Sequence, residues 1–374
     1  MAVQDVTAAE GRLTDDVAIG LLTTVFPRPL VDAVVETTGK RERRTRMLPA
    51  WLMVYLSMAL WLDLGNGYLR VLRSLLGGLR WAQGWEGSSV PTDGAVSRAR
   101  ERLGSAPMKA LFEATAHPTP SGADDDVLWR GLRTIAVDAA DFDLPAGPDT
   151  NAAFAVPADG TLPQARLVAL AECGSLAPIG AVVDSADVDE RTLLERLSGH
   201  LGPGVLLLAD RPFVSAASFL AAAATGAELV WRVDESLDLP IEERLSDGTY
   251  RSELHGVHGR DRASVRVVEY HVAADDGTCE RVVLITTLTS PERAPALELA
   301  QLYAGRWHIR IILRLVKADL RRPGGVLRSR TAEGVRQELW ALLCVYQALR
   351  QLVAKSAVTA EVTADRIRLP SAKS

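Results

Sequence analysis

The chain has 374 residues, with 42 Lys and Arg against 47 Asp and Glu, for a net charge of −5. Hydrophobic residues make up 48% and charged residues 24%, which excludes a disordered or collagen-like chain and suits roughly two or three globular domains. Only three cysteines occur, Cys173, Cys279 and Cys344, far apart in sequence. They make neither a disulfide scaffold nor a cysteine zinc site, and a reducing, cytoplasmic setting is expected.

The opening stretch MAVQDVTAAEGRLTDD is polar and acidic and lacks the pattern of a signal peptide. Thr14 or Asp15 can cap a helix through VAIGLLTTVF, which Pro27 and Pro29 end. A second helix follows in PLVDAVVETTG. The apolar run from Met47 to Leu62 is 16 residues long and holds Pro49 and Ser57. A membrane-spanning helix wants about 20 residues, so the run is expected to be a buried helix and no membrane partner is expected. Its basic flank KRERRTR is the one feature that would suit a span.

Apolar spacing predicts a helix from Tyr68 to Leu79. In VPTDGAVSRARERLG, Thr92 or Asp93 is a cap, and the helix to Leu103 carries Arg98, Arg100 and Arg102. APMKALFEATA is a short helix, and residues 116–130 are Pro-, Ser- and Asp-rich, as in a linker.

Beyond it the period changes. LRTIAVDAADFDLP reads as a strand, and QARLVALAECGSLAPIGAVVDSA as a hairpin turning near Gly174. An amphipathic helix, DERTLLERLSGHL, precedes the buried strand VLLLAD, the helix SAASFLAAAATG and the strand LVWRV. Residues from about Asp234 to Glu280 are strand-and-turn text with Asp-Gly pairs at 247–248 and 275–276. Two long helical patterns close the chain. The expected divisions are a helical region over 1–115, a linker over 116–130, an α/β core over 131–233, a β-rich insertion over 234–283, and core completion with C-terminal helices over 284–374.

Charge resolves into patches. Lys40 to Arg102 carries a net +6 and Gln301 to Arg330 a net +7, which leaves −18 for the remainder. Two basic islands in an acidic background can bind a phosphate backbone, whatever the average charge.

Two aspartates sit at the ends of apolar strands, Asp138 after TIAV and Asp210 after VLLLA. Ligands gather at such strand ends in open α/β sheets. Carboxylates converging there can hold Mg²⁺, and a metal pair can clamp the oxygens of a phosphoryl transfer. Strand-end aspartates also cap turns, and that reading stands beside this one.

Tyr303, Arg306 and Lys317 form Y-x2-R-x10-K on one helix. With these residues the chain resembles the DDE transposases of insertion-sequence family four, whose signature is Y-x2-R-x3-E-x6-K. GRLTDDVAIGLLTTVFPRPLVDAVVETTG, VPTDGAVSRARERLG, PQARLVALAECG and the stretch from LRSRTAEGVRQELWALL carry the same likeness. The family's first two aspartates fall on Asp138 and on Asp210 in LADRPF. The resemblance implies a ribonuclease-H-like catalytic core with a β-rich insertion, preceded by an all-helical N-terminal domain. It further implies Mg²⁺-dependent cleavage and strand transfer on DNA, a homodimer on DNA, and DNA contacts from Tyr303, Arg306 and Lys317. Arg98, Arg100 and Arg102 lie in the segment that looks like the family's helix-turn-helix and are expected to contact DNA as well.

The pattern breaks at one catalytic position. Where the family has its glutamate, four residues after Arg306, this chain has Arg310. Arginine neither ligates a metal nor acts as a base near neutrality. Pro212 also replaces the glycine of the family's second aspartate motif.

Three readings follow. In the first, a transposase scaffold binds DNA with its metal site disabled. In the second, another acid has taken over; Asp141 and Asp143 should face opposite to Asp138, and Asp319 lies on the far side of its helix from Arg310. In the third, the cleft between Asp138, Asp210 and Arg310, with His308 and Arg314 beside it, was recruited for a small-molecule ligand.

Overall fold

A computed structural model describes residues 20–62, 66–78, 91–117, 128–158, 160–256, 261–273, 279–305 and 326–360, with side chains to 354. Helices α1 (Arg28–Thr37), α2 (Ala50–Leu62), α3 (Tyr68–Gly78), α4 (Asp93–Leu103) and α5 (Ala106–Thr115) form the N-terminal bundle. Helix α2 lies inside the apolar run and is buried on nearly every side, from Ala50 through Trp61. It is the bundle's central helix, as its all-round hydrophobicity requires. No helix among the described residues is long and apolar enough to cross a membrane.

Next come β1 (Leu128–Trp129), β2 (Leu132–Asp143), α6 (Pro148–Ala153), β3 (Gln164–Glu172), β4 (Pro178–Ser185), α7 (Glu190–Glu195), β5 (Val205–Ala209), α8 (Ala216–Ala224) and β6 (Glu228–Val233). Strands β7 (Glu243–Arg244), β8 (Tyr250–His255), β9 (Arg262–Ala273) and β10 (Cys279–Thr286) follow, then α9 (Ala296–Gly305) and α10 (Ala332–Ala360). The ten strands make one sheet, ordered β4-β3-β2-β5-β6-β10-β9-β8-β7, with β1 paired to β2. Strands β2, β3 and β4 are antiparallel, whereas β5 runs parallel to β2 and β6 parallel to β5. This is the ribonuclease-H-like core that the resemblance implied. The β-rich insertion extends that sheet, because β10 pairs antiparallel with β6. Its first turn is set by Gly248, which takes φ +86 at the Asp247-Gly248 pair. The second Asp-Gly pair, at 275–276, lies outside the described residues.

Each sheet face is covered. Leu193, Leu194, Phe213 and Phe219 pack beneath one face with Ile135, Val137 and Leu207. The opposite face, through Ala136, Leu206 and Leu208, joins a core shared with the N-terminal bundle, Leu299 and Tyr303 of α9, and much of α10. Helix α10 is the tie. Its Gln337 is 1% exposed, accepts from Arg100 Nε at 2.9 Å, and donates to the carbonyls of Arg100 and Gly104 at 3.0 and 2.7 Å. Trp61 donates its indole N–H to the Glu338 carbonyl at 2.8 Å, and Arg350 clasps the Ser175 carbonyl with two donors at 2.9 and 2.7 Å.

Candidate active site

The register of the parallel strands places the two aspartates. Ala136 of β2 pairs with Leu208 of β5. Two residues farther on, Asp138 and Asp210 therefore fall level on the same face of the sheet, on neighbouring strands about 4.8 Å apart. Asp210 is 9% exposed and Asp138 half-buried. The apolar strand VLLLA stops at Asp210, whose Oδ1 accepts the Arg211 N–H at 3.0 Å and caps the short turn Arg211–Phe213. Pro212 stands at the start of that turn, where its fixed φ and missing N–H cost nothing. Asp138 Oδ1 accepts the Ala139 N–H at 2.9 Å.

Helix α9 delivers the signature tyrosine to this pair. Leu299 and Tyr303 lie one turn apart on its buried face. The Tyr303 hydroxyl lies 3.3 Å from the Ala209 carbonyl and 3.4 Å from Asp210 Oδ1, with the residue 3% exposed. Three residues that the sequence singled out, Asp138, Asp210 and Tyr303, are thus brought together. Arg306, Arg310 and Lys317 lie outside the described residues, as do His308, Arg314 and Asp319.

A fourth member was not visible in the sequence. Strand β6 lies beside β5, with Trp231 opposite Ala209, so Arg232 comes level with Asp210 on the same face. Its side chain is 5% exposed and its Nη2 bonds the Glu280 carboxylate. Its Nε is buried without a hydrogen-bond partner among the described residues. Burial opposes the guanidinium charge, but the Glu280 hydrogen bond and charge, with Tyr303 and Asp210, hold its pKa above the ordinary value. Across this face the strands carry Asp138, Asp210 and Arg232 in a row, a carboxylate pair beside a buried cation.

The alternative acids are engaged elsewhere. Asp141 takes a two-point ion pair from Arg166 at 2.8 Å, and Asp143 accepts from Gln164 at 2.8 Å. In the N-terminal bundle, Arg98 and Arg102 are exposed. Arg100 is 7% exposed and turned inward to Gln337 and the Tyr68 hydroxyl. Arg102 lines a groove of about 520 Å³ with Lys40, Arg41, Arg43, Arg44 and Arg46. Among the described residues, Glu42 is the one acid lining it.

The profile "Transposase DDE domain" matches residues 129–348, and "Insertion element 4 transposase N-terminal" matches residues 16–113. The chain belongs to the DDE transposase family of insertion element 4. It is 27% identical over 341 residues to the transposase InsG for insertion sequence element IS4 of Escherichia coli strain K12, covering 88% of this chain and 75% of that protein. A putative transposase, InsZ, of the same organism is 32% identical over 143 residues, covering 36% of this chain and 46% of InsZ. Among solved structures, a cryo-EM piggyBac transposase synaptic complex with hairpin DNA aligns at a TM-score of 0.48 and 10% identity, over 92% of this chain and 76% of that one.

The family's chemistry uses a divalent metal. Asp138 and Asp210 supply hard oxygen donors on one sheet face, the donor type that Mg²⁺ takes through one or two carboxylates and substrate phosphate. The pair fits such an ion. Among the described residues no group of three His, Cys, Asp or Glu stands close enough to form a fuller set.

Proposed function

We propose that this protein binds DNA, presents a phosphodiester to the Asp138–Asp210 pair, and lacks the family's third acid because Arg310 occupies that position. The observation that carries this reading is the row Asp138, Asp210, Arg232 on one face, with Tyr303 against Asp210. A divalent cation on the two carboxylates would polarise the phosphodiester and activate its attacking oxygen. Asp210 is held rigid for that task by its turn and by Tyr303. Arg232, buried and charged, is suited to bind a non-bridging phosphate oxygen beside the pair. An arginine at position 310 adds positive charge where the family adds a ligand, so metal-dependent cleavage through that set is impaired. Lys40, Arg41, Arg43, Arg44, Arg46, Arg98 and Arg102 supply cations for the DNA backbone, together with Arg306 and Lys317. Arg100 serves instead as a tie to α10.

Two measurements test this. Binding to duplex DNA should weaken steeply as salt rises; no binding even at low ionic strength would refute the DNA reading. Mg²⁺- or Mn²⁺-dependent cleavage of DNA with candidate ends should be weak in the wild type and rise in Arg310→Glu. Robust wild-type cleavage that Asp210→Ala abolishes would show that the site is not impaired.

A further inference from the structure

Arg232 belongs to β6 of the core, yet the acid that holds it, Glu280, belongs to the insertion. Glu280 is the second residue of β10. Leu284 of β10 stands directly opposite Arg232, and Glu280 lies four residues before Leu284 on the same face of that strand. Because β10 runs antiparallel to β6, the bond from Arg232 Nη2 to Glu280 lays the arginine along the sheet, toward the end at which β5 gives way to Asp210. The Arg232 side chain is 5% exposed and the Glu280 side chain 51%. Arg232 Nε is buried and has no hydrogen-bond partner among the described residues.

A buried guanidinium stripped of its acid is strongly destabilised and turns to the next opposite charge. On this face that charge is Asp210, level with Arg232 and one strand away at about 4.8 Å. An arginine paired with Asp210 would be lost to a phosphate and would cover an oxygen that the site needs. Glu280 takes one terminal nitrogen from the half-exposed side and leaves Nε for a second acceptor. We infer that Glu280 is a positioning residue, which holds the Arg232 guanidinium off Asp210 and ready for a phosphate oxygen, so that the insertion orients a cation of the core. The inference rests on the reading that Arg232 binds a DNA phosphate beside the aspartate pair. The competing role is structural alone, with Glu280 neutralising a buried charge.

The two roles differ in the sign of one measurement, the affinity of the full chain for short duplex DNA at fixed salt, with thermal melting of each variant alongside. An acid near DNA repels it, so removing a merely structural Glu280 leaves the binding of folded protein unchanged or tighter. Removing a positioning residue does the opposite. Glu280→Ala should weaken binding about tenfold, in keeping with the loss of one charge-assisted hydrogen bond, and Arg232→Met should weaken it to the same degree. Glu280→Gln, which keeps an acceptor oxygen at the same reach, should recover most of the loss. Added to Arg232→Met, Glu280→Ala should cost nothing more, because it acts through the arginine. If Glu280→Ala fails to melt cooperatively, Glu280→Asp decides, because it keeps the charge and shortens the reach; wild-type affinity in that variant overturns the inference. Unchanged or tighter binding by folded Glu280→Ala, no recovery in Glu280→Gln, or a further loss on top of Arg232→Met overturns Glu280 and leaves Arg232 in the site. Wild-type affinity in Arg232→Met overturns the reading of Arg232 and Glu280 with it.

Discussion

The hydroxyl of Tyr303 lies 3.4 Å from Oδ1 of Asp210 and 3.3 Å from the carbonyl of Ala209. It joins the last turn of α9 to the end of β5. A buried phenol in that position holds the carboxylate and the helix to one another. Tyr303→Phe keeps the packing and deletes the hydroxyl. The expected cost is about 1 kcal/mol of stability, measured by urea unfolding, with an unchanged m-value.

Arg232 offers a sharper test of the row. Arg232→Lys preserves charge but removes the planar fork and the buried Nε, so it should not preserve function. The expected outcome is weaker binding of short duplex DNA at a nearly unchanged log K against log salt slope, because the charge is kept while the fork is lost. An affinity equal to wild type would remove Arg232 from the site.

Asp247 and Arg266 tie the insertion to the chain that leads into α9. Arg266 is fully buried; it bonds Asp247, Thr249 Oγ1 at 2.9 Å and the Ala294 carbonyl at 2.7 Å. Asp247 also accepts the Ala296 N–H at 3.2 Å, at the start of the helix that carries Tyr303. Burial alone would raise the Asp247 carboxyl, but the Thr249 hydroxyl, Arg266 and the Thr249 and Ala296 amides hold it below its ordinary 3.8. A depressed acid contributes stability that is present above the unfolded value and lost as pH falls through the folded one. Stability should therefore drop below pH 3.8, and Asp247→Asn should flatten that part of the curve. Arg266→Met, which strands Asp247, should cost about 3 kcal/mol at neutral pH by chemical denaturation.

The basic groove predicts a division among arginines. Arg43→Ala, Arg44→Ala and Arg46→Ala should each weaken DNA binding and lower the salt slope by roughly one for each phosphate left without its cation. Their melting temperatures should stay near wild type, because all three are exposed. Arg100→Ala should do the reverse, lowering the melting temperature by stripping donors from Gln337 and Tyr68.

Much of this was legible from residue order. Apolar runs of strand length ending in Asp138 and Asp210 marked the paired strand ends, and the two are level because β2 and β5 are parallel. Arg100 runs against the expectation that it contacts DNA, although its spacing carries the sign of it. In a helix, Arg98 and Arg102 share a face, while Arg100 lies about 200° from each. Arg232 was not readable, because one arginine in LVWRV carries no sign of which face it takes; only the register with β5 decides. The insertion's merger with the core sheet was hidden too, because strand pairing across the long interval between β6 and β10 leaves no local pattern.

The central position of α10 has a consequence for synthesis. One apolar core runs from Leu22 to Ala348, and α2 is buried in part against a helix that begins at Ala332. As the chain leaves the ribosome, its first helices therefore emerge long before the surface that will cover them. Until α10 has been made, Leu52, Met53 and Leu56 have no finished interior to enter. The nascent N-terminal half is thus expected to expose apolar surface, and a polypeptide released before α10 is complete is expected to aggregate or be degraded and not to fold as a free-standing helical domain.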